Sequence, residues 1–266
     1  MQDGLLPAFA GARARAGLVA LLLATAGACW WLTGNFMQQM DDGPWTALGT
    51  LGWFVGVWFV MMAAMMLPSV APTVALYSSM TRARSPLSPL AFAAGYLVAW
   101  TGIGVLAFAV AAGFGGAFGN VLAWDRAGRW AAGATLLAAA AYELTPLKDV
   151  CLGKCRSPLG FLLGRWRDGT YGGLTMGVRH GAWCIGCCWA LMASLFALGV
   201  MSLAWMGVIG ALIAVEKLVP SRRAVVVGTT AVLATLGVLL LAAPGALPGL
   251  TVPGDRPMAP MEQMAP

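Results

Sequence analysis

Between Met176 and Met192 the chain reads MGVRHGAWCIGCCWALM, and this stretch holds its only histidine, His180, and three of its six cysteines, Cys184, Cys187 and Cys188. On a helix, at about 100° per residue, Met176, His180, Cys184 and Cys187 fall within roughly a quarter of the circumference. Cys188 and Met192 extend that stripe along its edge. Imidazole, thiolate and thioether on one face suit a soft metal ion such as Cu(I), and also suit Zn(II). Methionine and cysteine are ordinary core residues, so Met176 and Met192 are read first as packing. Three thiols one turn from the sole histidine are harder to assign to packing, and His180, Cys184, Cys187 and Cys188 are read as ligands.

The elements that must position this stripe are apolar. Of 266 residues 60% are hydrophobic and only 10% charged, and the mean hydropathy is +0.80. That composition predicts an all-α, polytopic transmembrane helix bundle surrounded by lipid. A net charge of +6 spread over 16 basic residues in short segments between apolar runs predicts membrane topology rather than nucleic-acid binding. Twelve tryptophans, among them Trp30, Trp31, Trp45, Trp124 and Trp130, suit interfacial anchoring. No phosphate-binding loop or dinucleotide fingerprint is found, which argues against an ATP-driven pump.

Seven spans are expected, at about 17–36, 51–77, 89–117, 130–147, 172–200, 202–218 and 224–243, in a single domain over 1–243 with an unstructured tail over 244–266. The first span reads as an uncleaved helix following Arg13 and Arg15. The second opens with Gly52-x3-Gly56, a spacing that permits close helix contact. It then presents Met62, Met65 and Met66 on one face, before Pro68 and Pro72, which should kink or break it. These methionines are read either as filler or as a thioether pathway for Cu(I). The fourth span ends at Glu143, an intramembrane acid that is either paired with Lys148 or an oxygen ligand or proton acceptor.

A polar loop over about 148–171 carries Cys151 and Cys155 among Lys148, Lys154, Arg156, Arg165 and Arg167, cations that should favour reactive thiolates. On the fifth span Gly173, Gly177 and Gly181 form a ridge of small residues beside the ligand stripe, where another helix should approach closely. Arg179 is expected at an interface or in a protein-lined cavity. Glu216 and Lys217 are read as an interfacial ion pair.

With a cytoplasmic N-terminus, Arg13, Arg15, Arg82, Arg84, Lys148, Lys154, Arg156, Arg165, Arg167, Lys217, Arg222 and Arg223 face the cytoplasm. Only Arg126, Arg129 and Arg256 fall outside, and Arg179 lies within the membrane. Twelve against three is the bias of a plasma (inner) membrane protein. It puts Glu143, Cys151, Cys155 and His180 in the reducing cytoplasmic half, where thiols stay free to bind metal.

The segments MMAAMMLPSVAP (61–72), YELTPLKDVCLGKC (142–155) and HGAWCIGCCWALM (180–192) resemble a bacterial family of predicted metal-binding integral membrane proteins of unknown function. The resemblance covers roughly residues 50–220. It implies metal-binding candidacy for Met62, Met65, Met66, Glu143, Cys151, Cys155, His180, Cys184, Cys187 and Cys188, and implies no reaction.

The function expected is membrane metal handling: Cu(I), with Zn(II) as the alternative, is bound and moved or delivered to a client, with a metallochaperone or membrane-enzyme partner. A membrane thiol–disulfide oxidoreductase using Cys184 and Cys187 is a second class, and a subunit of a membrane metalloenzyme a third. A structural subunit with incidental thiols is the plainest alternative. No catalytic residue is assigned.

Overall fold

Every backbone N–H and C=O buried in an apolar bundle needs a partner, and runs of leucine, alanine and valine without two-residue alternation find it within a helix. The computed structural model describes residues 5–38, 50–81, 85–118, 128–164, 166–198, 202–219 and 221–243, and these are all-helical, with no strand among them. The helices are α1 (Leu5–Gln38), α2 (Leu51–Thr81), α3 (Ser88–Phe118), α4 (Arg129–Glu143) and α5 (Pro146–Arg156). They continue with α6 (Pro158–Gly164), α7 (Gly169–Leu198), α8 (Leu203–Leu218) and α9 (Arg222–Ala242). The expected tail over 244–266, the link at Asp41–Asp42, and Arg82, Arg84, Arg126, Arg165, Trp45 and Trp124 lie outside the described residues.

Helix lengths correct the count of spans. Among the described residues four stretches are long and apolar enough to cross a membrane: Ala12–Phe36, Leu51–Thr81, Ser88–Gly113 and Arg223–Ala242. The seven expected crossings are not supported. α4 and α8 have 15 and 16 residues, a rise of about 22–24 Å against a hydrocarbon core of about 30 Å. α7 has 30 residues but places Arg179 and His180 within its course.

The polar loop after Glu143 is helical in part. Thr145 is extended, as a residue before proline tends to be, and its side chain accepts from the Lys148 N–H, so it caps α5. Pro146 opens the helix, Asp149 sits in its first turn and Lys154 and Arg156 in its last, all favourable to the helix dipole.

α7 is the hub, packing against α3, α4, α5 and α8, while α1 flanks α2 and α9 flanks α4. The α3–α7 contact runs along the glycine ridge. A Cβ at Gly177 would strike the Phe92 carbonyl, and one at Gly181 would lie 2.7 Å from the Ala99 Cβ. Gly52 and Gly56, by contrast, have nothing within 4 Å of where a Cβ would sit, so that pair makes no close helix contact among the described residues.

Neither Pro68 nor Pro72 breaks α2. Proline at 68 deprives the Ala64 carbonyl of its helical partner, and the Trp30 indole of α1 supplies one, donating to that oxygen at 3.1 Å.

Candidate metal centre

The stripe on α7 turns inward. Cys184, Cys187 and Cys188 are buried, and their sulfurs all lie within 4.8 Å of one another. Cys187 Sγ is 3.3 Å from Cys188 Sγ, and Cys184 Sγ is 4.0 Å from Cys188 Sγ. A metal held at about 2.3 Å by three coplanar sulfurs needs them roughly 4 Å apart, so the donor set fits a thiolate-bound ion. All six cysteines are free thiols.

α5 brings a fourth sulfur. Cys155 Sγ lies 3.6 Å from Cys187 Sγ, at the edge of the trio. Cys151, one turn earlier, rests on Gly186 of α7: a Cβ there would lie 2.7 Å from its Sγ. Cys151 therefore packs α5 against α7 and does not join the thiol group. Burial raises its thiol above the ordinary value, which corrects the expectation of a reactive thiolate. The cations expected to activate it are engaged or turned away, since Lys148 pairs with carboxylates and Lys154 is exposed.

Three residues that the sequence reading did not place at the site complete the centre. Tyr96 of α3 sets its hydroxyl 2.9 Å from Cys184 Sγ. Lys217 of α8 donates to the same sulfur at 3.0 Å and to Ser69 Oγ of α2 at 3.1 Å. An ammonium against a thiol site offsets the negative charge that metal-bound thiolates carry. The ion pair expected between Glu216 and Lys217 does not form: Glu216 bonds Lys148 at 2.8 Å, and Lys217 points elsewhere. Adjacent residues on a helix diverge by about 100° and do not face each other.

His180 is buried one turn from Cys184, but it is not among the ligand groups gathered within 4.8 Å. Its ring packs among Phe92, Tyr96 and Phe161, with centroids at 5.7, 6.0 and 5.0 Å. Nδ1 has no hydrogen-bond partner among the described residues. Arg179 beside it is exposed.

Glu143 is buried and paired with Lys148, and it is not part of the thiol group. Met62, Met65 and Met66 are buried, and so is Met61, so this part of α2 is enclosed on more than one face. Met65 Cε lies 3.6 Å from the Cβ position of Gly210 on α8. Ser69, one turn beyond Met66, is what ties α2 to the centre.

Residues 55–240 match the PpoB2 family, described as copper chaperones. The chain belongs to this copper chaperone family. No curated protein matches it, and no solved structure does. The match takes in every residue of the thiol centre, including Ser69, Tyr96 and Lys217. A copper chaperone family accords with a donor set of soft sulfurs, and the metal-related family expected from the motifs is met.

Proposed function

We propose that the protein is an integral membrane copper chaperone that holds Cu(I) on Cys184, Cys187 and Cys188, exchanges it through Cys155, and delivers it to a client protein. The observation that carries this reading is the approach of three buried thiols in a chain of a copper chaperone family. Soft sulfur donors suit Cu(I), and His180 stands outside the trio. Cys155 is suited to exchange because it reaches the trio from a separate short helix.

Membrane placement is supported by the four long apolar helices and by the apolar side chains they turn outward, such as Leu21, Trp31, Phe59, Val98, Leu106 and Val238. A soluble surface rarely carries so many. Exposed Arg179 belongs at headgroup level, which puts Cys184 about 7 Å deeper along α7. Lys154, Arg156 and Arg167 near that end support a cytoplasmic placement at the inner membrane. A shallow thiol site just under the surface suits hand-over to a partner.

The test is elemental analysis of protein purified anaerobically with reductant, beside a Cys184→Ser/Cys187→Ser/Cys188→Ser variant. Stoichiometric copper in the wild type, lost in the variant, is expected. Copper retained by the variant would refute the thiol site, and zinc at the same stoichiometry would refute the choice of cargo.

A further inference from the structure

Beside the thiol centre lies a second buried cluster that copper binding does not use. Glu143 at the end of α4 and Glu216 near the end of α8 both bond the ammonium of Lys148 on α5, the second at 2.8 Å. Their side chains, and that of Lys148, are no more than 1% exposed. Each carboxyl also keeps one buried oxygen, Oε1, with no hydrogen-bond partner among the described residues.

Other polar groups on these helices make bonds outside the cluster. The Arg156 guanidinium of α5 bonds the Val219 carbonyl, and Lys217 serves Cys184 and Ser69. The Tyr142 hydroxyl of α4 donates to the Gly186 carbonyl of α7. With both carboxyls ionised, the three side chains of the cluster hold two negative charges against one positive. An uncompensated buried charge is costly enough that such a group takes up a proton instead.

We propose that Glu143, Lys148 and Glu216 form a proton-binding site that holds one proton at neutral pH and whose proton affinity is linked to the copper load of the thiol centre. One proton, added to a carboxylate to make a carboxylic acid, brings the cluster to neutrality.

The linkage follows from shared helices and from charge. Glu216 and Lys217 are consecutive on α8, and one enters each centre. Lys148 and Cys155 stand two turns apart on one face of α5 and are divided in the same way. Loading replaces protons with metal: Cu⁺ and three Cys–SH give a copper tris-thiolate of charge −2 and three H⁺. A more negative thiol centre tightens the hold on the neighbouring proton, and by reciprocity the proton favours the loaded state. This linkage, unlike the proton site, rests on the proposed copper reading.

Infrared spectroscopy of the purified apo protein across pH, in H2O and D2O, tests the site without copper. A protonated-carboxyl C=O band that shifts in D2O is expected at neutral pH. It should vanish in Glu143→Gln and equally in Glu216→Gln, because one carboxylate left against Lys148 is already neutral. No such band, or a band that survives in both variants, overturns the proton site. In the wild type loaded with Cu(I), the midpoint pH of the band should rise. An unchanged midpoint in protein shown to hold copper overturns the linkage and leaves the proton site standing. Protein that binds no copper refutes the chaperone reading alone.

Discussion

The thiol centre and the carboxylate cluster are both buried, and both draw on α5 and α8, yet they treat their polar atoms in opposite ways. In the cluster a lysine is bonded to two carboxylates, and charge meets charge. In the thiol centre soft sulfurs face one another at 3.3–4.0 Å, with a single ammonium at the edge. Sulfur tolerates this because an unpaired thiol loses little on burial, whereas an unpaired carboxylate loses much. A group of soft ligands can therefore sit unpaired inside an apolar bundle, while hard ions must be compensated on the spot.

The sharpest way to break this contrast is to remove the one cation of the cluster. Lys148→Met leaves the buried carboxylate that this lysine balances uncompensated and should cost about 3–5 kcal/mol, read as a large fall in the thermal midpoint in detergent. Changing Glu143 and Glu216 to Gln in the same chain should recover most of the loss. Cys187→Ala, taken from the other centre, should cost about 1 kcal/mol while lowering copper occupancy. Equal losses in the two single variants would erase the distinction between the centres.

A smaller effect is expected where compensation is a single neutral hydrogen bond. Trp30→Phe keeps an aromatic ring against α2 but leaves the Ala64 carbonyl, opposite Pro68, without its donor. The expected cost is about 1–3 kcal/mol, measured by the same denaturation. No loss would mean that another donor reaches this carbonyl.

Much of this contrast can be read in the residues before any fold is known, and the limits are physical. The stripe of Cys184, Cys187 and Cys188 was legible because helical spacing alone decides which side chains share a face. The glycine ridge was legible for the same reason, and its partner proved to be α3. Lys217 and Tyr96 were not, since each reaches the centre from another helix and local spacing carries no information about neighbours. The adjacency of Glu216 and Lys217 misled: it suggests a pair, although a helix sends consecutive residues in different directions. The loop after Glu143 hid α5 because its cations masked a good cap at Thr145 and Pro146. The number of spans failed on length, since hydropathy marks apolar runs without showing where a helix stops.

Tyr96 offers a finer probe of the thiol side. Its hydroxyl bonds Cys184 while its ring packs on His180, so Tyr96→Phe removes a hydrogen bond and keeps the packing. Partners of a metal ligand contribute about tenfold or more to affinity. Competition with a Cu(I) chelator should show about that weakening, with the thermal midpoint of the apo protein unchanged. Undiminished affinity would mean that Cys184 is oriented by Lys217 alone.

The least effect is expected on α2, where the comparison turns from thiols to thioethers. Met62 is buried in a segment enclosed on several sides, and the hydrogen-bonded tie from α2 to the centre runs through Ser69. Leucine is close to methionine in volume and equally apolar, so Met62→Leu should cost less than about 1.5 kcal/mol. It should also leave copper occupancy as it was. Slower loading of the thiols with occupancy intact would give Met62 a place on the ion's route, because a thioether that only passes copper along changes rates without changing the final complex. Unaltered loading as well would make it packing, and the trio on α7 would then suffice as the proposed site for a soft ion.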